Sequence, residues 1–237
     1  MIKAVFFDLY NTLAGFKPSR FEIQSIALNS FGLKPTPDGI LKGYALADKF
    51  MASQKSIQPL ENLKSSELED FFAKYESLIL KGAGINIPIH QCSQIWNAVK
   101  EIPYQMSLFD DVLPALTDLK ALDLHLGMIS NMGTSGLGLS KEMGLNKIID
   151  LSITSQDAGF TKPDIRIFQF ALKHLNLQAQ DVIFIGDQIE SDILGAENAG
   201  LLPILIDRDR NHPDFSRCRR ITSLDKLTKK LKLLRQC

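Results

Sequence analysis

Hydrophobic residues along the chain follow two patterns, which divide it into a helical segment and a segment of alternating strands and helices. Residues 3–7 are a short apolar run without alternation, as is typical of a strand buried on both faces. From residue 18 to about residue 105, apolar residues recur at helical spacing. After about residue 106, short apolar runs alternate with amphipathic stretches, which predicts strands and helices in turn.

Several helix starts can be recognised in the helical segment. Ser19 and Glu22 have the spacing of a capping box, in which the serine oxygen accepts a hydrogen bond from the third helical N–H and the glutamate accepts one from the N–H of the cap. Ser66 and Glu69 have the same spacing and predict a second start. Thr36-Pro37 predicts a third, because proline is favoured in the first turn of a helix. We therefore predict several packed helices in this segment.

The alternating segment predicts a parallel sheet, because βαβ units place helices on both faces of such a sheet. The first strand is expected to join this sheet, so that the helical segment is an insertion. We predict an α/β fold in which residues 1–16 and 106–237 form a Rossmann-like core and residues 17–105 form an inserted helical domain. The other predicted strands are 124–129, 151–154, 182–185 and 202–206, and the predicted core helices are 111–122, 134–143, 164–175, 191–199 and one after Ser223.

Charge and hydropathy narrow the classes of function. The chain has 237 residues and no net charge, whereas a protein that binds nucleic acid through its phosphates usually carries a basic excess. The segment 207–237 has ten basic and four acidic residues, which we interpret as a solvated terminal helix. No apolar run is long enough to cross a bilayer, and the initial one is too short for a signal peptide. We expect a cytoplasmic monomer or homodimer without nucleic-acid or membrane partners.

The cysteines and histidines predict neither a disulfide framework nor a zinc site. The three cysteines are odd in number and show no C-x-x-C spacing, which fits a reducing compartment. The four histidines are scattered, and none has metal-ligand spacing to another histidine or to a cysteine.

Polar residues follow three of the apolar strands at the point where each strand ends. Asp8 follows the first strand, Ser130-Asn131 follows another, and Gly186-Asp187 follows a third. Lys162 lies in a loop after a further strand. Because ligands bind outside the carboxyl ends of strands in an open parallel sheet, we expect these side chains to meet at one edge.

This set of residues is suited to an anion together with a hard cation. Asp8 and Asp187 could share Mg²⁺, which prefers oxygen ligands and retains some water. Ser130, the amide of Asn131 and Lys162 could hold an anionic group. Asp8 could then attack that group, as carboxylates do in covalent catalysis. The cation would neutralise the charge that develops there.

Four sequence motifs occur in a fixed order around these residues. They are Phe-Phe-Asp-Leu-Tyr-Asn-Thr-Leu at 6–13, Ile-Ser-Asn at 129–131, Gly-Phe-Thr-Lys-Pro-Asp at 159–164 and Gly-Asp-Gln-Ile-Glu-Ser-Asp at 186–192. Together they resemble the four motifs of the haloacid dehalogenase superfamily, and they extend over most of the chain. The resemblance implies that the helical insertion is a cap domain of the α-helical C1 type, which closes over the site and selects the substrate.

The resemblance also implies roles for the matched residues. Asp8 is expected to be the nucleophile and a metal ligand, and Thr12 to orient it by a hydrogen bond. The main-chain carbonyl of Tyr10 and the carboxylate of Asp187 are expected to complete the metal site. Asp192 is expected to act on the metal indirectly.

The transferred group is assigned to a second set of matched residues. Ser130 and Asn131 are expected to bind it. Lys162 is expected to balance the charge of the nucleophile and of the covalent intermediate. The implied substrate is a small anionic molecule, and the implied cofactor is Mg²⁺.

Tyr10 departs from the pattern of the family's phosphatases, which usually carry aspartate two residues after the nucleophile. That aspartate protonates the leaving oxygen and then activates water. A phenol, with a pKa of about 10, is a poor base at neutral pH. Tyrosine at this position resembles the superfamily's 2-haloacid dehalogenases, in which halide leaves without a proton. Those enzymes work without metal and lack a charge at the position of Asp187.

The sequence therefore supports one family and more than one reaction. We favour a Mg²⁺-dependent phosphatase that acts on a small phosphorylated metabolite through an aspartyl intermediate. The alternatives are a hydrolase of the 2-haloacid dehalogenase type and a weakly active or regulatory protein of the same superfamily.

Overall fold

The structure is a computed structural model that describes residues 1–225 and 227, without the side chains of residues 55, 56 and 61. The described residues divide into two compact units. The first contains Met1–Gly15 and the described part of Met106–Cys237, and the second contains Phe16–Gln105. Each unit has its own hydrophobic core, as expected for independently packed domains.

Six strands of the first unit, among the residues that the structure describes, form one parallel sheet. They are β1 (Ala4–Phe7), β4 (His125–Ser130), β5 (Leu151–Thr154), β6 (Val182–Gly186), β7 (Leu202–Ile206) and β8 (Arg219–Ile221). Two further strands, β2 (Ala14–Lys17) and β3 (Gln105–Leu108), form a separate two-stranded sheet.

The order of the strands in the sheet explains where a ligand can bind. The order is β5-β4-β1-β6-β7-β8, so the chain builds outward from β1 in one direction and then in the other. A reversal of this kind creates a crevice at the carboxyl ends of the central strands. Strands β4, β1 and β6 border that crevice, and they are the strands whose ends carry the polar motifs.

Helices cover both faces of the sheet, and β1 contributes to the core on both sides. Val5 and Phe7 belong to one core cluster, whereas Ala4 and Phe6 belong to another. This explains why the first strand is apolar at every position. Among the described residues, this unit includes the helices α5 (Val112–Lys120), α6 (Gly136–Glu142), α7 (Ser155–Ala158), α8 (Ile165–His174) and α9 (Gly195–Asn198), with a π-helix at Ile189–Leu194 and a 3₁₀ turn at Ala179–Asp181.

The second unit is helical. Its helices are α1 (Arg20–Ser30), α2 (Pro37–Ile57), α3 (Ser65–Gly82) and α4 (Ile89–Glu101), with a 3₁₀ turn at Leu60–Asn62. Close helix packing relies on glycine, because a Cβ on Gly43 would lie 2.0 Å from the carbonyl oxygen of Ile79. Aromatic side chains fill its core, and Phe72 stacks on Trp96 with ring centroids 4.6 Å apart. None of the described helices in either unit is long and apolar enough to cross a membrane.

The predicted α/β class and parallel sheet are confirmed, while some local predictions are not. The capping box of Ser19 and Glu22 is present, with Glu22 accepting from the Ser19 N–H at 2.7 Å. The start predicted at Ser66 is wrong, because α3 begins at Ser65 and Glu67 accepts from the N–H of Lys64. The sequence pattern also missed β8. The final helix predicted after Ser223 falls largely outside the described residues.

Candidate active site

The register of the sheet brings the three polar strand ends to one level. Phe7 lies opposite Met128 of β4 and opposite Ile185 of β6, so Asp8 is level with Ile129 and Gly186. The N–H of Asp8 donates to the carbonyl of Ile185 at 2.8 Å, which continues the ladder by one residue. Asp8 is buried, with 7% of its surface exposed. The next residues along β4 and β6, Ser130 and Asp187, therefore emerge beside it.

Lys162 lies in the loop between α7 and α8, and Asn131 fixes that loop. The Asn131 side chain accepts from the N–H of Lys162 at 2.7 Å and donates to its carbonyl at 2.9 Å. Both polar groups of this side chain are thereby committed to the Lys162 backbone. The side chain of Asn131 therefore holds Lys162 in place, and its main-chain N–H is the group that was expected to bind an anion. Ser130 is buried at the end of β4.

Asp187 lies in the turn after β6, and Asp192 lies in the π-helix that follows this turn. Gln188 donates from its N–H to the Asp192 carboxylate at 3.1 Å, and the N–H of Asp192 bonds back to the Gln188 carbonyl. A Cβ on Gly186 would lie 2.4 Å from the Asp192 Cβ, so only glycine permits this close approach. π-Turns occur often at functional sites, where the extra residue redirects a side chain. Here it directs Asp192 inward, and the side chain is 2% exposed.

The Lys162 ammonium group lies between two buried carboxylates. Its Nζ is 2.6 Å from Asp8 Oδ1 and 2.7 Å from Asp192 Oδ1. Burial alone would lower the pKa of Lys162, but Asp192 and Asp8 raise it above its usual range. The two carboxylates therefore favour the charged form of Lys162 beside Asp8.

The carboxylates of the site repel one another and are poorly hydrated. Burial is the largest effect and raises the pKa of Asp8 to about 6. The charge of Lys162 acts to lower this pKa, and the charge of Asp192 acts to raise it. Burial also raises the pKa of Asp187 well above its usual range, and Asp8 and Asp192 add to the shift. A hydrogen bond from Asn11 acts in the opposite direction.

These carboxylates are a suitable set of ligands for a hard divalent cation. Among the described residues, Asp8, Asp187 and Asp192 offer carboxylate oxygens that all lie within 4.8 Å of one another. Lys162 supplies one positive charge against three carboxylates, which leaves an excess of negative charge. Oxygen ligands and a negative site are what Mg²⁺ requires. The donor set thus fits the cation expected from the sequence.

The turn from Leu9 to Ala14 holds the residues that follow Asp8. The N–H groups of Leu13 and Ala14 both donate to the Leu9 carbonyl at 2.8 Å. Asn11 adopts a left-handed conformation with φ of 58°, which asparagine tolerates better than most residues. The Thr12 hydroxyl is fully buried and has no hydrogen-bond partner among the described residues. The bond by which Thr12 was expected to orient Asp8 is therefore not formed. Tyr10 is half-buried in this turn.

Two contacts in this site were not predicted from the sequence. Asn11 bonds to the carboxylate of Asp187, although only its neighbours in the motif were assigned roles. The signal for it was available, because asparagine in a polar turn favours a positive φ. Asp192 was predicted as part of the metal site, but its ion pair with Lys162 was not predicted. Its inward direction depends on the π-turn, which no sequence pattern revealed.

Known proteins with similar sequences and folds identify the family to which the chain belongs. The sequence profile of the haloacid dehalogenase-like hydrolases matches residues 2–200, and the chain belongs to that family of hydrolases. The chain is 26% identical, over 97% of its length and 96% of the relative, to the haloacid dehalogenase-like hydrolase domain-containing protein 3 of Danio rerio. A crystal structure of 2-haloacid dehalogenase from Pseudomonas syringae is similar in fold, with a TM-score of 0.57, 23% identity and coverage of 99% of this chain and 100% of that one.

A further relative is similar over part of its length only. The chain is 34% identical over 106 residues to the glyceraldehyde 3-phosphate phosphatase of Methanothermobacter thermautotrophicus, which is 43% of this chain and 45% of the relative. The chain thus spans less than half the length of this curated relative.

Proposed function

We propose that the protein is a Mg²⁺-dependent phosphatase that acts on a small phosphorylated metabolite. One observation carries the proposal: Lys162 and the carboxylates of Asp187 and Asp192 converge on the buried carboxylate of Asp8. A lone carboxylate in this position would suffice for attack on a neutral carbon. The additional carboxylates make sense when a cation and an anionic group share the site. The partial match to glyceraldehyde 3-phosphate phosphatase supports phosphate as that group.

In the first step of the proposed reaction, an oxygen of Asp8 attacks phosphorus and the bond from phosphorus to the substrate oxygen breaks. The products are an aspartyl phosphate and an alcohol, whose oxygen takes its proton from the Tyr10 phenol or from water. In the second step water attacks the same phosphorus, the Asp8–phosphorus bond breaks, and inorganic phosphate leaves. Lys162 stays charged through both steps and stabilises the anionic intermediate. Ser130 and the main chain of Asn131 are assigned to the equatorial phosphate oxygens.

Asp8, Asp187 and the carbonyl of Tyr10 are assigned to the cation, together with Asp192. When bound, Mg²⁺ supplies charge neutralisation at the phosphoryl oxygens. Asp8 must be ionised in order to attack, and a positive neighbour lowers the pKa of a carboxyl group. The helical unit, Phe16–Gln105, is assigned the selection of substrate.

Tyr10 supports a second candidate, hydrolysis of a carbon–halogen bond in a 2-halo acid. Halide leaves without a proton, so this reaction does not require an acid at position 10. Asp8 would form an ester with the substrate carbon, and water would then hydrolyse that ester. Asp187 argues against this candidate, because an uncompensated carboxylate repels an anionic halo acid. A weakly active or regulatory protein, the third candidate, would bind phosphate without turnover.

A phosphatase assay with an activated substrate tests the proposal. Purified protein is incubated with 4-nitrophenyl phosphate in the presence of Mg²⁺ or a chelator, beside Asp8→Asn. We expect release of nitrophenol that requires Mg²⁺ and is lost in Asp8→Asn. Asp110→Asn, a surface substitution, serves as the matched control and should retain turnover. Equal turnover by the wild type and Asp8→Asn would falsify the proposal.

The dehalogenase candidate is distinguished from the phosphatase by the halide that it releases. Halide release from 2-chloropropionate is measured with and without a chelator. Release that persists in the chelator, together with no phosphate turnover, would replace phosphatase with dehalogenase. Tight binding of inorganic phosphate with neither activity would support the regulatory candidate.

A further inference from the structure

A side chain that follows β7, two strands away from β1 in the sheet, contacts the turn that follows the candidate nucleophile. Arg208 follows β7, and its guanidinium group donates twice to the main-chain carbonyl of Thr12. The distances are 2.8 Å from Nη2 and 3.1 Å from Nε. None of the four motifs includes Arg208, and it lies 196 residues from Thr12 along the chain.

Asp111 fixes the plane of this guanidinium group. Its carboxylate accepts from Nη1 and Nη2 of Arg208, both at 2.9 Å, in the parallel geometry that makes such pairs strong and directional. The second oxygen of Asp111 also accepts from the N–H of Leu224 at 2.7 Å. Both side chains are largely shielded, with 15% and 10% of their surfaces exposed. The Phe109 ring lies 4.1 Å from the guanidinium carbon. The guanidinium group of Arg208 is therefore oriented by Asp111 and Phe109 as well as by Thr12.

The Thr12 carbonyl is a suitable point from which to fix the turn. Inside the turn, the N–H groups of Thr12, Leu13 and Ala14 all point to the Leu9 carbonyl. These bonds close the turn internally. From outside the turn, the Phe109 N–H donates to the Leu13 carbonyl at 3.0 Å, and Arg208 adds its two bonds to the Thr12 carbonyl. Asp8 immediately precedes this turn, and its carboxylate must meet Lys162 at 2.6 Å.

We propose that Arg208, oriented by Asp111, is a positioning residue that holds the nucleophile turn in its reactive geometry. The inference rests on the proposed function of Asp8 as nucleophile. Arg208 does not touch the reacting atoms, and its effect passes through the backbone of Thr12. Loss of this anchor lets the turn, and Asp8 with it, move by a fraction of an ångström to an ångström. A misplacement of about 1 Å can cost about 100-fold in rate.

The test compares kcat and KM for 4-nitrophenyl phosphate in Arg208→Ala, Arg208→Lys and wild type, all with saturating Mg²⁺. We expect Arg208→Ala to lose about 100-fold in kcat while KM stays near the wild-type value, because the substrate-binding groups are unchanged. Arg208→Lys keeps the charge and one donor, so its kcat should lie between the two. Added guanidinium chloride at low concentration should partly restore kcat in Arg208→Ala and leave Arg208→Lys unchanged.

Two further variants make the test specific. Arg217→Ala removes an exposed arginine that pairs with Glu197 and does not contact the turn, and it should keep the wild-type kcat. Asp111→Ala should reproduce the kcat defect of Arg208→Ala, and the double variant should be no worse, because the two residues act as a unit. If Arg208→Ala does not fold, Arg208→Lys and Asp111→Ala carry the test.

The outcomes separate this inference from the proposed function. No turnover by the wild type would overturn both. Turnover by the wild type with unchanged kcat in Arg208→Lys and Asp111→Ala would overturn the inference alone. A parallel loss of kcat and folded fraction, without rescue by guanidinium, would reduce Arg208 to a stabilising contact and also overturn it.

Discussion

The Lys162 ammonium group lies 2.6 Å from the carboxylate of Asp8, and both groups are buried. The same ammonium contacts Asp192 at 2.7 Å, so a single cation links the ends of β1 and β6 through the loop before α8. Coulombic attraction in a poorly hydrated site is much stronger than on the surface. This contact therefore contributes both to the fold of the sheet edge and to the chemistry of Asp8.

Replacement of Lys162 by methionine should destabilise the metal-free protein. Methionine preserves most of the volume and leaves two buried carboxylates without their cation, a change that costs about 3–5 kcal/mol in comparable buried pairs. Urea denaturation in a chelator measures the effect. Lys120→Met is the matched control, because Lys120 pairs with Asp150 near the surface and should change stability by less than about 1 kcal/mol. Equal urea midpoints for Lys162→Met and wild type would contradict the prediction.

Substitution of Gly186 by alanine should disturb Asp192 specifically. The new Cβ would lie 2.4 Å from the Asp192 Cβ, and overpacking of this kind costs about 1–3 kcal/mol. Because Asp192 must move, we expect a clear loss of turnover even under conditions where the variant is still fully folded. Gly138→Ala is the control, because a Cβ there meets only ordinary contacts, at 3.7 Å or more. The measurements are nitrophenyl phosphate turnover and thermal unfolding, and a fully active Gly186→Ala would show that Asp192 can shift without consequence.

The strand ends could be predicted from the sequence because they depend on local pattern and on topology alone. A short apolar run that stops at Asp8 defines a buried parallel strand, and parallel strands share one carboxyl edge. The same argument brings Ser130 and Asp187 to that edge. Nothing more than hydrophobic periodicity was needed for the fold class.

Features that depend on tertiary contacts could not be predicted. The pairing of Arg208 with Thr12 joins residues that are far apart in sequence and requires the completed sheet. The inward turn of Asp192 requires the π-helix and the absence of a side chain at Gly186. The N-cap of α3 is Lys64 and not Ser66, because Glu67 accepts from the Lys64 N–H. The two possible N-caps are only two residues apart, and sequence patterns do not resolve a difference of this size.

Removal of one carboxylate should make the order of stability of the variant and the wild type depend on Mg²⁺. In a chelator, Asp187→Asn should unfold at a higher temperature than the wild type, because it removes a charge that Asp8 and Asp192 repel. With Mg²⁺ the wild type should become the more stable, since a cation at 100 times its Kd stabilises by about 2.7 kcal/mol. Thermal unfolding of both proteins with and without Mg²⁺ checks this reversal. Glu190→Gln, an exposed neighbour, should follow the wild type.

The absence of any Mg²⁺ effect on the wild type would speak against the metal site. A Mg²⁺ effect of equal size in Asp187→Asn would instead place the cation elsewhere. Both outcomes are independent of the choice of substrate.

Glu76, in the helical unit, should make stability depend on pH. Its side chain is fully buried; Gln24 donates to one oxygen, and the other has no partner among the described residues. Burial raises the pKa of Glu76 from 4.5 to about 8, although the Gln24 hydrogen bond opposes the shift. The folded state thus holds a proton that the unfolded state releases above pH 4.5. Stability should decrease as the pH rises from about 4.5 to about 8 and then level off.

Glu76→Gln should remove this pH dependence. Glutamine keeps the shape and carries no charge, so the variant should exceed the wild type at pH 9 by a few kcal/mol, on the order expected from a shift of this size. Urea denaturation at pH 5, 7 and 9 measures the difference. Glu69→Gln, an exposed change on the same helix, should retain the wild-type profile. A wild-type profile in Glu76→Gln would assign the pH dependence to other groups.

Replacement of Tyr10 by aspartate should restore the missing acid–base group of the proposed phosphatase. General acid–base catalysis contributes about 10²–10⁴-fold, and most where the leaving group is poor. Tyr10→Asp should therefore accelerate hydrolysis of an alkyl phosphate much more than that of 4-nitrophenyl phosphate, whose leaving group needs little protonation. Tyr10→Phe tests whether the phenol donates the proton to the leaving group. If it does, turnover of the alkyl phosphate should fall while turnover of 4-nitrophenyl phosphate is unchanged. Equal acceleration of both substrates by Tyr10→Asp would indicate a change in shape or metal binding instead of proton transfer.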